Sequence, residues 1–156
     1  MKSVVNISDL RTRAQQRLPR VVFDYIDGGA DAERTLRENC RVFDDLTFRP
    51  RGGVATPAVD LRVSLLGQSF APPFLLAPSG SSRRFFPRAE EHAARAAGSA
   101  GTGYILSTLS GCRLEDVKAA TAGPAWYQVY LVGGRDVGEA AIARAKAAGY
   151  SALVVT

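Results

Sequence analysis

The sequence is poor in the residues that most often carry chemistry. It has one histidine, His92, and two cysteines, Cys40 and Cys112, in 156 residues. The cysteines lie far apart and in unrelated motifs, so neither a disulfide framework nor a metal-ligand spacing is present. That usage suits a reducing, cytoplasmic setting. No apolar run approaches the roughly 18 residues of a membrane span, and the N-terminus lacks a signal-peptide apolar core. The visible chain therefore reads as soluble. A concentrated basic stripe is also missing. The formal net charge is +5, but the arginines are scattered and Arg83-Arg84 is the only adjacent pair. A solvated Arg-rich surface or a phosphate site fits this better than a nucleic-acid partner. Finally, 156 residues can build a core but fall short of the about 250 of a complete eight-fold β/α barrel.

What is present is repetition. Four segments share one form: 74–79, 104–108, 125–131 and 151–156. Each is a short apolar run ending in small or polar groups. The first three are followed by Ala-rich amphipathic stretches, expected as helices at about 88–100, 113–120 and 136–148. Alternation of this kind predicts a parallel sheet with crossover helices. Asp136 is the expected N-cap of the last helix, and Gly149 lies just past its end. The chain stops on its fourth strand with nothing after it, so it is expected to be half of something larger.

Before residue 74 the pattern differs. Helices are expected at 8–17, capped by Ser8, from Pro19 to Ile26, closed by Gly28, and at 32–43. In the last of these, Leu36, Cys40 and Phe43 should face inward. A loop rich in Pro, Gly and Arg follows. Leu61–Leu65 and Gln68–Phe70 then flank Gly67 as a short hairpin. The expected division is a helical extension with hairpin over 1–73 and one incomplete β/α domain over 74–156.

Ligands of parallel β/α folds gather at the carboxyl ends of strands. Those ends offer Pro78-Ser79-Gly80, Ser107-Thr108, Gln128 with Tyr130, and Thr156. The set is small and neutral, with no carboxylate pair and no Ser-His-Asp constellation. It suits a planar heteroaromatic ring with amide-like edges. Gln128 both donates and accepts, Ser107 and Thr156 can reach ring oxygens, and Gly80 permits a close backbone approach. Each Ser or Thr alone could simply begin a turn. Gln128 says more, because an unpaired amide inside an apolar strand costs about 1–3 kcal/mol. Trp126, Gln128 and Tyr130 share one strand face, while Tyr127 and Val129 face the helices.

Elsewhere the residues read plainly. Tyr25, within Phe23–Ala30, fits a helix core on its own terms. Gly28-Gly29 follows no strand and is not a phosphate loop. His92, beside Glu90, Glu91 and Arg95, reads as part of a solvated helix face. The chain thus places no histidine base where one would be needed.

In order, Leu18-Pro19, Asp24-Tyr25, Gly28-Gly29-Ala30, Ala77–Gly80, Leu106-Ser107-Thr108, Gln128-Val129-Tyr130 and Val154-Val155-Thr156 resemble the FMN-dependent 2-hydroxy acid dehydrogenases and oxidases. The resemblance covers essentially the whole chain. It implies the TIM (β/α)8 barrel family, here a partial barrel of about four parallel strands with a helical extension and a short hairpin. FMN is the implied cofactor, and an L-2-hydroxy acid such as lactate, mandelate or glycolate is the implied substrate. By matching position, Pro78, Ser79 and Gly80 would line the flavin, and Ser107, Gln128 and Thr156 would bond its polar edge. Tyr25 would hold the substrate carboxylate. Tyr130 would serve as the catalytic contact, beside the flavin and bonded to the substrate hydroxyl or carbonyl oxygen.

The sequence departs from the family's pattern in several places. The loop 81–87 is unusually basic and aromatic. Leu109 stands where some oxidases carry a bulky aromatic, and Leu106-Ser107-Thr108 with the following Ser110-Gly111-Cys112 looks more like the lactate and mandelate dehydrogenase branch, which favours a dehydrogenase over an oxidase. The family's histidine base, its carboxylate-binding arginine, its flavin-proximal lysine, its phosphate loops and any membrane-binding insertion would follow Thr156. The 156-residue chain is therefore expected to show little turnover, with its electron acceptor unassigned. Two other readings stay open. One is a non-catalytic half-barrel that pairs as a homo-oligomer through strand edges at 74–79 and 152–156, which light scattering would reveal as a defined dimer. The other is a different FMN barrel acting on a diphosphate, against which the Asp24-Tyr25 region speaks.

Overall fold

A computed structural model describes residues 4–55 and 58–156. Thr56 and Pro57, within the expected Pro/Gly/Arg-rich loop, lie outside the described residues. The chain divides into two compact units, Met1–Pro57 and Ala58–Thr156.

The first unit holds three helices, α1 (Ile7–Arg17), α2 (Arg20–Asp27) and α3 (Arg34–Asp44). The N-cap of α1 is Asn6 rather than Ser8. Asn6 accepts the Asp9 N–H at 3.0 Å, and Asp9 accepts the Asn6 N–H at 3.3 Å. This reciprocal capping box satisfies two orphan donors, which Ser8 could not do. Arg11 of α1 grips Asp27 of α2 with two bonds of 2.5 and 2.6 Å and lies over the buried Phe23 ring. Gly28 closes α2 in an extended conformation, not a left-handed one. The inward face expected for α3 is not seen. Cys40 is exposed and Phe43 is 70% exposed.

The second unit opens with a hairpin, β1 (Val63–Leu65) and β2 (Gln68–Phe70). Leu66 and Gly67 both take positive φ, 50° and 73°, the turn whose twist matches two antiparallel strands. The hairpin falls within this second compact unit. Phe70 is buried edge-on against Trp126 at 6.1 Å, and the Trp126 indole donates to Gln68 at 3.0 Å.

A parallel sheet follows in the order β3 (Tyr104–Leu106), β4 (Ala125–Val129), β5 (Ala152–Val155). Helices α4 (Ala89–Ser99), α5 (Leu114–Ala119) and α6 (Arg135–Ala148) alternate with these strands. The first expected strand is reduced to one parallel bridge, Leu76 with Tyr104. Pro72, Pro73 and Pro78 have no N–H to give a ladder and leave only a few residues between them that can pair. The N-cap of α6 is Gly134 rather than Asp136. Gly149, at φ 88°, closes that helix in the left-handed conformation, as helix C-termini favour.

All five residues of β4 are buried. Tyr127 and Val129 enter the helix-side core with Ala94, Val117 and Ala145. Tyr127 also meets Tyr150 edge-on at 6.0 Å. Trp126 points the other way, to the hairpin, so the predicted alternation holds. Just before β3, a Cβ on Gly103 would lie 2.7 Å from Leu75 and 2.9 Å from Phe70. Gly103→Ala should therefore cost about 1–3 kcal/mol by overpacking, read as a lower urea midpoint. An unchanged midpoint would show that the hairpin yields freely.

Candidate functional site

In the second unit the candidate residues lie on the segments just beyond the strands, except Gln128, which lies within β4. Pro78 is half-buried, Ser79 and Gly80 are exposed, and a short 3-10 turn (Ser82–Arg84) follows. The Ser81 N–H donates to the Leu109 carbonyl at 2.8 Å. A Cβ on Gly80 would meet that of Leu109 at 3.2 Å. The close neighbour that glycine permits here is thus the loop after β3.

That loop is locally ordered. Ser107 is buried and its hydroxyl accepts the Leu109 N–H at 3.1 Å. Thr108 donates to the Gln128 carbonyl at 2.5 Å and accepts the Tyr130 N–H at 3.0 Å. At the next strand end, Gln128 Nε2 donates to Thr156 Oγ1 at 3.2 Å. Contacts therefore run without a break from Gly80-Ser81 through Leu109 and Thr108 to Gln128, Tyr130 and Thr156.

Gln128 is the informative member. Its side chain is 6% exposed, yet its Oε1 is the single buried side-chain oxygen or nitrogen without a partner among the described residues. A buried acceptor left empty costs about 1–3 kcal/mol. A ligand N–H would remove that cost, and an imide edge of a planar ring offers one. Nε2 meanwhile keeps a donor beside Thr156. Tyr130, one residue past β4, is half-buried.

Tyr25 sits on α2 in the first unit and is 73% exposed. His92 is exposed on α4, edge-on to Phe86 at 5.6 Å and 3.2 Å from Arg95. The sequence reading missed Glu90, which does not share that solvated face. Its side chain is fully buried and accepts the Gly111 N–H at 3.0 Å and the Cys112 thiol at 3.1 Å. Burial alone would push this carboxyl up. The Gly111 N–H, the Cys112 thiol and backbone donors from Glu90 itself and Arg83 outweigh burial and bring it below its ordinary value. Burial first, then the Glu90 bond and charge, push the Cys112 thiol up, which argues against a reactive cysteine. Among the described residues no cluster of His, Cys, Asp and Glu is placed to hold a metal, and no helix is long and apolar enough to cross a membrane.

Comparison with known proteins gives a consistent result. The profile of the family described as FMN-dependent dehydrogenase matches residues 14–156. An L-lactate dehydrogenase of Caulobacter vibrioides is 42% identical over 153 residues, covering 98% of this chain and 40% of that protein. A peroxisomal (S)-2-hydroxy-acid oxidase of Oryza sativa is 36% identical, covering 97% and 42%. The structure of a soluble mutant of the membrane-associated (S)-mandelate dehydrogenase from Pseudomonas putida superposes with a TM-score of 0.90 at 33% identity, covering 98% and 44%. The chain spans about two fifths of the length of the curated relatives it matches.

Proposed function

Since the chain belongs to the FMN-dependent dehydrogenase family, we propose that it supplies the flavin-ring portion of a site oxidising an L-2-hydroxy acid to a 2-oxo acid. The observation that carries this reading is the buried, unpartnered Oε1 of Gln128. Its amide lies beside Thr156. In this reading Gln128, Ser107 and Thr156 bond the polar edge of FMN, and Pro78, Ser79 and Gly80 line the ring. FMN, when bound, supplies the two-electron acceptor.

The remaining work falls to this chain's own groups. Tyr130 offers a phenol that can bond the substrate's hydroxyl or carbonyl oxygen as its charge changes. Tyr25 is assigned to the substrate carboxylate, an assignment supported by the Asp24-Tyr25 match. The sole histidine is occupied on an outer helix, so these residues bind and orient rather than remove the substrate proton. The fit to a lactate- or mandelate-type acid is supported by the relatives' activities.

Titration of the 156-residue chain with FMN, followed by flavin fluorescence and the visible spectrum, tests the reading. Saturable one-to-one binding is expected, and no binding up to millimolar FMN overturns it. Dye reduction with lactate or mandelate should stay at background. Substantial turnover would sink the assignment of a purely binding role.

A further inference from the structure

The backbone ladder between β3 and β4 runs only from Tyr104–Ala125 to Leu106–Tyr127. Beyond Leu106 the first strand turns into the loop that carries Ser107 and Leu109. In a parallel pair, one residue of a strand gives its N–H to a neighbour's carbonyl and takes the N–H two places further on. Gln128 C=O and Tyr130 N–H form such a set on the edge of β4 facing β3. The opposite edge is held by the Thr156 N–H, which donates to the Val129 carbonyl at 3.3 Å. On the β3 side a side chain takes the place of the backbone. Thr108 Oγ1 donates to Gln128 O at 2.5 Å and accepts from Tyr130 N at 3.0 Å.

We propose that Thr108 is a positioning residue, whose hydroxyl stands in for a whole residue of β3 and fixes the backbone that aims Gln128 and Tyr130 at their ligands. The proposal rests on the flavin reading given above. The physical need is clear. β4 ends at Val129, so Tyr130 lies one residue past regular strand and would fray without a tether. Gln128 and Tyr130 are two residues apart, about 7 Å along an extended chain, and that spacing is kept only while both residues stay extended. A hydroxyl is the one small group that both donates and accepts. Serine can replace it, whereas valine, of nearly the same shape, can do neither.

The test uses Thr108→Val and Thr108→Ser in the 156-residue chain, with amide hydrogen exchange and FMN titration read side by side. In Thr108→Val the Tyr130 amide should exchange about tenfold faster, the scale of one lost hydrogen bond. The Tyr104 and Ile105 amides, held by Pro124 and Leu76, should keep their protection. The FMN dissociation constant should rise about tenfold, and Thr108→Ser should restore both readings. An unchanged Tyr130 amide overturns the proposal. So does faster exchange spread evenly over the sheet, which marks a general loss of stability. Faster Tyr130 exchange with unchanged FMN affinity reduces Thr108 to a strand clamp and overturns its positioning role. Wild-type protein that binds no FMN overturns the flavin reading and this inference together, whereas wild-type and Thr108→Val binding equally well overturns the inference alone.

Discussion

Gln128→Leu should weaken FMN binding about 10- to 100-fold while leaving the free chain as stable as before, or more so. The two halves of this result come from one atom. In the free chain Gln128 Oε1 is buried with nothing to accept, so folding bears its desolvation. Leucine has similar bulk and removes that penalty. It also removes the Nε2 bond to Thr156, but Thr156 is exposed and its hydroxyl can turn to water. The sum is near zero or favourable, as when an unsatisfied polar group gives way to an apolar one of like shape. With flavin present the sign reverses. The acceptor that was idle would take a ring N–H, and its removal leaves that N–H unpaired in a dry site. A loss of about 1–3 kcal/mol corresponds to the stated fold-change. Urea midpoints and FMN titrations of the same samples check it. Gln128→Leu binding FMN as tightly as wild type would make Gln128 an ordinary, poorly satisfied core residue. A large fall in the midpoint would show that its amide already has a structural task.

The legible parts of this protein are those fixed by local pattern. Buried parallel strands appear as apolar runs because both faces are covered, and 104–106, 125–129 and 152–155 fall inside the expected segments. Gln128 stood out because a lone amide in an apolar run needs a reason. The strand expected at 74–79 shrank to a bridge because the apolar signal was read without counting the N–H groups that the prolines lack. The Ser8 cap lost to Asn6 because a cap is judged by its partner, and only Asn6 has Asp9 three residues on. The ladder role of Thr108, which stood out only as a strand-end residue, and the burial of Glu90 were beyond reach for a different reason. A hydroxyl replaces a ladder residue only where the strand happens to stop. A carboxylate on an outer helix is buried only if donors some twenty residues later fold over it. Both depend on distant backbone groups whose positions no local period encodes.

Glu90→Ala should be the most destabilising of these substitutions, at about 2–4 kcal/mol, a fall in Tm on the order of 10 °C. The side chain is fully buried, so truncation leaves a cavity. It also releases the Gly111 N–H and the Cys112 thiol, which tie the loop after β3 to α4. Glu90→Gln keeps the volume and separates the two effects. An amide cannot accept at both ends, so one donor is left facing an NH2 group, and about half of the loss should persist. The pH dependence has a definite sign. The folded carboxyl lies below its ordinary value of 4.5, so ionised Glu90 favours the folded state. That contribution is complete above the ordinary value and is lost as pH falls from there through the depressed folded value. Wild type should therefore lose stability to Glu90→Gln's level in acid, and the two curves should converge below the carboxylate range while standing apart at pH 7. A constant gap at every pH would mean that Glu90 acts through its two acceptor oxygens and not through its charge. Convergence would identify a buried charge, satisfied by backbone and thiol donors, as what secures the loop bearing Ser107 and Thr108.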